Sequence, residues 1–335
     1  MPKCGSQIIL CDLPIRYDTY KGCSHACQYC FVNRKVDIRD IGLGEGVKAL
    51  ESFINGDRNA ETNWCDWNIP LHWGGMSDPF QPAEKHYKRS LEALKVFAQT
   101  KYPFVVSTKN KLIAESPYID LLKECECVVQ FSAACAEYDQ WERGASSFAE
   151  RLEAAKRISA LGKRVIIRIQ PYLPKYFKHI CDSLQLFKEA GVYGVVVEAM
   201  KYQSKMQGTV KVNGDFCIPT KVLKPHYEVI KSKCHQLGMV FYCGENRLRG
   251  MSDHLCCCGV DGLGWRTNTA NVAHYIYDRD SFVFTDKMCE VGTTTVFKCL
   301  HQQSVYDKKR QTMSYKDCML EEITDSNINA LTPKT

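Results

Sequence analysis

At 335 residues, with 45% hydrophobic and 24% charged positions, the chain can bury one large core or two small ones, and its composition excludes the disordered and fibrous classes. No apolar stretch is long enough to span a membrane, and the opening Met-Pro-Lys-Cys lacks the pattern of a secretory signal, so a cytoplasmic location is expected. The net charge of +6 permits a nucleic-acid partner without requiring one, and 19 cysteines, an odd number, point to thiols or metal ligands rather than a disulfide framework.

Strand-like and helix-like segments alternate from residue 8 to about residue 246, the pattern of βα units around a parallel sheet. Strands are expected at 8–17, 68–73, 104–107, 128–132, 164–170 and 192–198, with 239–242 as a candidate seventh. The intervening helices are expected at 45–54, 82–99, 117–124, 148–161, 177–190 and 221–237. Leu91, Leu94 and Phe97 share one helical face behind Pro82, and Gly162 stops the helix before it. Six or so such units predict an α/β fold, a partial (β/α)6-type TIM barrel over roughly residues 1–250. Residues 251–335 break the alternation and are expected to form a small cysteine-rich C-terminal region near the open end of the barrel.

Sites on parallel sheets lie at the carboxyl ends of the strands. The polar residues expected there are Gly74, Gly75, Ser77 and Asp78 after the second strand, Ser107, Thr108 and Lys109 after the third, and Ser132 at the end of the fourth. Glu198 ends the sixth, and Glu245 follows the seventh; either carboxylate could orient ribose hydroxyls or a substrate. Arg168 on the fifth strand could face the lumen, where a buried arginine calls for an anionic partner, either a ligand or a structural salt bridge.

The most chemically specific stretch is Lys21-Gly22-Cys23-Ser24-His25-Ala26-Cys27-Gln28-Tyr29-Cys30-Phe31. Thiolate is a soft ligand for iron–sulfur clusters and zinc, and three cysteines at i, i+4 and i+7 can converge on one centre. Three ligands on a four-iron cubane leave one iron open to a small molecule. The alternative is a Cys3His zinc site with His25 as fourth ligand, in a nucleic-acid module without catalysis; the tight spacing around His25 speaks against it.

This motif resembles the cluster motif of the radical S-adenosylmethionine enzymes. The resemblance implies that Cys23, Cys27 and Cys30 hold a [4Fe–4S] cluster and that Tyr29 packs near the adenine of S-adenosylmethionine. It further implies reductive cleavage to a 5′-deoxyadenosyl radical, fed by an external reductant of flavodoxin or ferredoxin type. Within the superfamily the chain is similar to the spore photoproduct lyase family. The likeness lies in Gly-Cys-Ser-His-x-Cys-x-Tyr-Cys, Ser77-Asp78-Pro79-Phe80-Gln81-Pro82-Ala83-Glu84, Ser107-Thr108-Lys109, Arg151-Leu152-Glu153-Ala154 and Gln170-Pro171-Tyr172-Leu173-Pro174, and covers roughly residues 15–200. It places Ser77, Lys109 and Ser132 at the positions that bind S-adenosylmethionine there. One departure stands out: Gly75-Met76 replaces the hydrogen-donating cysteine that the lyase carries just before the serine. The resemblance makes a thymine-type base in DNA, or a nucleotide, the expected substrate, with Trp73, Phe80, Tyr172 and Trp265 available for stacking. A peptide modified by an enzyme with an auxiliary cluster is the rival.

The tail centres on Cys256-Cys257-Cys258-Gly259, with Cys243 upstream and Cys289, Cys299 and Cys318 beyond. These thiols could bind a second cluster, donate a hydrogen atom to a substrate radical, or simply be buried. Two weaker features are a polar segment flanked by Gly208 and Gly214, read as a surface loop or lid, and the basic cluster Lys308-Lys309-Arg310, read as a solvated face.

Overall fold

Seven parallel strands carry the fold. They are β2 (Ile15–Tyr17), β3 (Leu71–Trp73), β4 (Phe104–Thr108), β5 (Cys127–Ser132), β6 (Arg164–Tyr172), β7 (Gly194–Ala199) and β8 (Val240–Cys243), lying side by side in sequence order. A short β1 (Lys3–Cys4) pairs antiparallel with β2 at the outer edge, and β8 closes the other edge without pairing to it. The sheet is therefore an open, partial barrel of the expected class. The computed structural model describes residues 1–4, 8–32, 40–212, 215–293, 297–298, 304–305 and 312–324. Gly214, Cys299 and Lys308-Lys309-Arg310 lie outside the described residues.

Aromatic contacts show which face of each strand meets the helices. Tyr17, Trp73 and Phe104 all pack on Phe97 of the helix Arg89–Thr100, with ring centroids 6.2, 5.6 and 4.2 Å apart. Because side chains alternate along a strand, Arg16, His72, Ser107, Gln130, Arg168, Gln170 and Glu198 fall on the opposite, inner face. The neighbouring outward positions are apolar and fully buried, whereas Arg16, His72, Arg168, Gln170 and Glu198 are only half-buried.

Three expectations are corrected. Only Ile15–Tyr17 of the segment 8–17 is a strand, and Ile8–Leu10 is a 3-10 turn. Pro14 lacks the N–H a ladder needs, and the Asp12 carboxylate is taken by Asn271 and His274 at 3.0 and 2.9 Å. The helix expected at 82–99 breaks at Lys88, which is left-handed (φ 53°), into Glu84–Tyr87 and Arg89–Thr100. The break lets the buried Glu84 carboxylate accept the backbone N–H groups of Ser90 and Leu91, both at 2.9 Å, at the start of the second piece. The segment after β7 is a small antiparallel sheet of Lys201–Tyr202, Val210–Val212 and Asp215–Cys217 rather than a plain loop.

The tail does not stand apart. Cys258, Val260, Ala270, Val272, Tyr315, Cys318 and Met319 belong to the same buried core as the sheet, so residue 250 marks no break in packing. Asn268 donates to the carbonyls of Ile8 and Cys11, and Arg164 donates to those of Gly259 and Asp261. Gly259 lies directly on Ile166, where a Cβ would come within 2.7 Å of its side chain. The segment 256–261 thus fills the inner face of the sheet from the amino-terminal ends of the strands, opposite the end where the cysteine loop lies.

Candidate active site

The cysteine loop is seated on the carboxyl edge of the sheet by hydrogen bonds from three neighbouring loops. After β3, Ser77 Oγ donates to the Tyr20 carbonyl at 2.7 Å, and Gln81 binds the Ser24 N–H (2.8 Å) and the Gly22 carbonyl (3.0 Å). Glu84 accepts from the Tyr20 and Tyr118 hydroxyls as well as the two backbone donors above. From the segment after β5, the Trp141 carbonyl accepts from Gln28 N, and Gly144 N donates to the His25 carbonyl. A Cβ on Gly144 would stand 2.7 Å from the carbonyl oxygens of Ser24 and His25, so only glycine permits this approach.

His25 is not free to join the cysteines. Its Nδ1 lies 3.4 Å from Asp78 and its Nε2 3.4 Å from Asn110, and burial lowers its pKa despite Asp78. Cys3His zinc coordination through this residue therefore loses its fourth ligand. Burial pushes Cys23 up to about 12 and Cys27 up to about 11, the latter opposed by the ammonium of Lys109. Cys23 and Cys30 remain partly exposed, and Cys27 lies within the field of both. Among the described residues no set of three or more His, Cys, Asp or Glu closes on a position that could hold a metal ion. The donor chemistry fits a larger, cationic inorganic core: three soft sulfurs on eight residues, with burial keeping Cys23 and Cys27 protonated unless positive charge is supplied.

Lys109 is the pivot of the site. Its ammonium is 3.9 Å from Glu142 and 5.7 Å from the centre of the Tyr29 ring, and burial lowers its pKa. Asp78 fixes the backbone here, accepting the Lys109 N–H at 2.6 Å and the Thr108 hydroxyl at 2.8 Å. Tyr29 donates its hydroxyl to Glu142. The fully buried Arg151 binds Glu142, Asp139 and the Ser132 carbonyl, joining the end of β5 to the cysteine loop. Tyr29, the Ser132 carbonyl and the Lys109 ammonium are thus linked through Glu142 and Arg151, Lys109 by an ion pair rather than a hydrogen bond. Ser77 instead turns its hydroxyl toward the cysteine-loop backbone.

Gly74 (φ +88°) makes the turn out of β3, and its missing Cβ leaves room for the Ser107 carbonyl, which a side chain would meet at 2.6 Å. Gly75 packs against Arg16, and Asp18 accepts the N–H groups of Met76 (3.0 Å) and Ser77 (3.4 Å), shaping that loop. Asp18, Glu142 and the orienting role of Asp78 were not singled out from the sequence. Asp78 lay inside the quoted motif, whereas Asp18 and Glu142 carry no local signal.

The remaining candidates separate. Glu198 pairs with Lys201 at 2.8 Å and accepts from Gln170 at 2.6 Å, while Glu245 is buried against Arg247 at 2.8 Å. Trp73, Phe80 and Tyr172 are fully buried core residues and cannot stack a base. Trp265 lines a groove with Cys127, Lys163 and Tyr193 at the amino-terminal strand ends, far along the strands from the cysteine loop. In the tail, the Cys258 thiol is within hydrogen-bonding reach of Cys11, Cys256 and Cys257. The Cys258 hydrogen bond and the Arg249 guanidinium, acting against burial, pull Cys257 down to about 5, whereas at Cys256 the Cys258 bond, the largest single effect, is overcome by burial together with the charges of Asp12 and Cys257, which push it up to about 11. All described cysteines are free thiols.

A solved structure of spore photoproduct lyase with dinucleoside spore photoproduct superposes with a TM-score of 0.57 over 69% of this chain and 77% of that one, at 14% identity. The fold is that of spore photoproduct lyase. A lyase mutant with bound AdoMet and the same dinucleoside matches with a TM-score of 0.56, at 13% identity, over 68% of this chain and 76% of that one. These likenesses show a shared fold, the partial barrel. No family model matches the chain. Uncharacterised proteins of Mycobacterium tuberculosis and Mycobacterium bovis are 26% identical over 214 residues, 58% of this chain and 62% of theirs. The chain spans less than two thirds of the length of these curated relatives. Among the described residues no helix is long and apolar enough to cross a membrane.

Proposed function

We propose that this protein is a radical S-adenosylmethionine enzyme. Cys23, Cys27 and Cys30 would hold a [4Fe–4S] cluster, and the S-adenosylmethionine carboxylate would meet Lys109. The observation that carries this reading is the Lys109 ammonium, largely withdrawn from solvent with its side chain 16% exposed. It stands beside Cys27 and the Tyr29 ring, and its nearest carboxylate is 3.9 Å away and already committed to Arg151. A cluster bound there would supply the electron for reductive cleavage of S-adenosylmethionine, drawn from an external flavodoxin- or ferredoxin-type donor. The chain's own work is positional. Asp78 fixes the backbone under Lys109, Glu142 holds the Tyr29 hydroxyl, and Arg151 binds the Ser132 carbonyl; Tyr29 would meet the adenine and Ser132 would border the cofactor. Free thiols throughout suit a reducing compartment such as the cytoplasm.

For the substrate we favour a thymine-type base in DNA or a nucleotide, acted on in a lyase- or isomerase-type reaction. The support is the fold shared with a lyase solved in complex with a dinucleoside. Gly75-Met76 stand where that family has its hydrogen-donating cysteine, so any returning hydrogen has another source. Cys256, Cys257 and Cys258 enter the inner face from the opposite end of the strands, which speaks against them as that source.

Anaerobic reconstitution followed by iron, sulfide and zinc analysis, with detection of 5′-deoxyadenosine after reduction, tests the class. About four iron and four sulfide with 5′-deoxyadenosine formation is the expected result. Stoichiometric zinc without 5′-deoxyadenosine would overturn it. Iron beyond one cubane, with no nucleotide binding, would move the substrate reading to a peptide.

A further inference from the structure

We propose that the inner face of the sheet carries an anion subsite, built on Arg168 and Arg16 on either side of His72, that takes a phosphate or carboxylate group; identifying that ligand as the substrate rests on the function proposed above. Arg168 is held in place by neutral groups. Its Nη1 donates to Gln130 Oε1 at 2.8 Å and Ser107 Oγ at 3.1 Å, and its Nη2 donates to Gln170. Gln130 is itself buried and anchored to the Cys258 carbonyl at 3.1 Å, so the guanidinium has a fixed position. Among the described residues no carboxylate lies within 4.0 Å of it. Arg151 is neutralised by Glu142 and Asp139, Arg247 by Glu245, and Arg164 by Asp261 at 3.7 Å, while the buried Arg249 faces Cys257 and donates to the Leu255 carbonyl and Asn246.

Arg16 shows the same deficit. Its buried Nε has no hydrogen-bond partner, and its only hydrogen bond among the described residues is a long one, 3.5 Å, to the Cys4 carbonyl. Asp18 and Glu45 feel its charge without reaching ion-pair distance, and Asp18 is committed to the loop after β3. Between the two arginines, burial together with both positive charges lowers His72 to about 3, so its ring is neutral and adds only a hydrogen-bonding nitrogen, 3.1 Å from Ser107. Lys109 lies within the field of Arg168 from above, and the Cys257 thiolate from below. The inner-face carboxylate Glu198 is matched by Lys201. Two half-buried guanidiniums with donors to spare and no carboxylate partner form the fork that oxyanions bind, at a level next to the cofactor group.

The test uses cluster-loaded protein saturated with S-adenosylmethionine, titrated calorimetrically with inorganic phosphate, thymidine 5′-monophosphate, thymidine and succinate. Saturable binding of an anionic probe is expected, with thymidine much weaker than its monophosphate; phosphate against succinate distinguishes the two anion sources. Arg168→Gln should weaken the preferred anion roughly ten-fold or more, and Arg168→Lys should retain part of it. Iron content, thermal midpoint and affinity for S-adenosylmethionine should stay unchanged in both. Should Arg168→Gln not fold, Arg16→Gln and the lysine variant give the same comparison. The proposal is overturned if the natural protein binds no anion saturably, if the glutamine variants bind it equally well, or if they lose S-adenosylmethionine instead, which would place Arg168 in the cofactor pocket. Reductive cleavage by the natural protein without anion binding would sink the subsite and spare the enzyme class. Arginine-dependent anion binding without cleavage would do the reverse.

Discussion

Two cysteine triplets sit at opposite ends of one sheet, and their surroundings could hardly differ more. Cys23, Cys27 and Cys30 lie on a loop turned through the left-handed Ala26 (φ 49°), clamped by side chains from the loop after β3 and by backbone from the segment after β5, and bordered by charged groups. Cys256, Cys257 and Cys258 are adjacent in sequence, filling the inner face beneath Gln130 and gathered with Cys11 around one buried thiol. The first triplet is spaced along a loop at the sheet edge, whereas the adjacent cysteines of the second crowd with Cys11 around the Cys258 thiol inside the packing. The comparison separates a set of thiols that the fold supports from outside from a set that is itself part of the support.

The largest effect that would sharpen this contrast is Cys27→Ala. It should abolish iron retention and 5′-deoxyadenosine formation, read by metal analysis and chromatography, while Cys256→Ala should leave the iron of the first triplet in place. Equal iron loss in both would erase the distinction. Next is the clamp: Glu84→Ala strips four donors of their buried acceptor and should lower stability by about 3–5 kcal/mol in denaturant unfolding. A loss under about 1 kcal/mol would mean the loop is held mainly by other contacts.

Smaller is Lys109→Ala, expected to cost about 1.5–3 kcal/mol of S-adenosylmethionine binding with iron unchanged, measured by equilibrium dialysis. Unaltered affinity would detach this lysine from the cofactor. The smallest effect concerns the tail. With Cys257 drawn down to about 5, its thiolate persists as pH falls from 8 to 6 and is lost only as pH drops through that value. Alkylation followed by mass spectrometry should therefore label Cys257 at pH 6 ahead of Cys256, which is still protonated there. Equal labelling would argue against the Arg249 contact.

Most of the barrel was legible because the central strands are apolar, β-branched runs bounded by turn residues, as in Val128–Val129 or Val195–Val197, and the helices carry an apolar period. The capping box of Ser147 and Glu150 is a local signal of that kind. The first strand was overextended because Ile8-Ile9-Leu10 is as apolar as a strand, yet its partner is the tail rather than the sheet. Likewise, the break at Lys88 follows from what Glu84 binds in space, which no helical pattern encodes. Lys109, Ser132 and Tyr29 could be named from motifs, but Glu142 and Arg151, which draw them together, are nine residues apart and meet only through the fold.

By itself the sequence determined the order of βα units, the soft-ligand loop after the first strand and the polar residues at the strand ends, since periodicity and ligand spacing are local properties of the chain. Tertiary structure alone decided that the tail enters the barrel from below, that Trp73, Phe80 and Tyr172 are core rather than stacking surfaces, and that Arg16 and Arg168 share an inner face without a carboxylate partner. Charge balance and burial are set by neighbours distant in sequence, and they exist only once the sheet has brought those neighbours together.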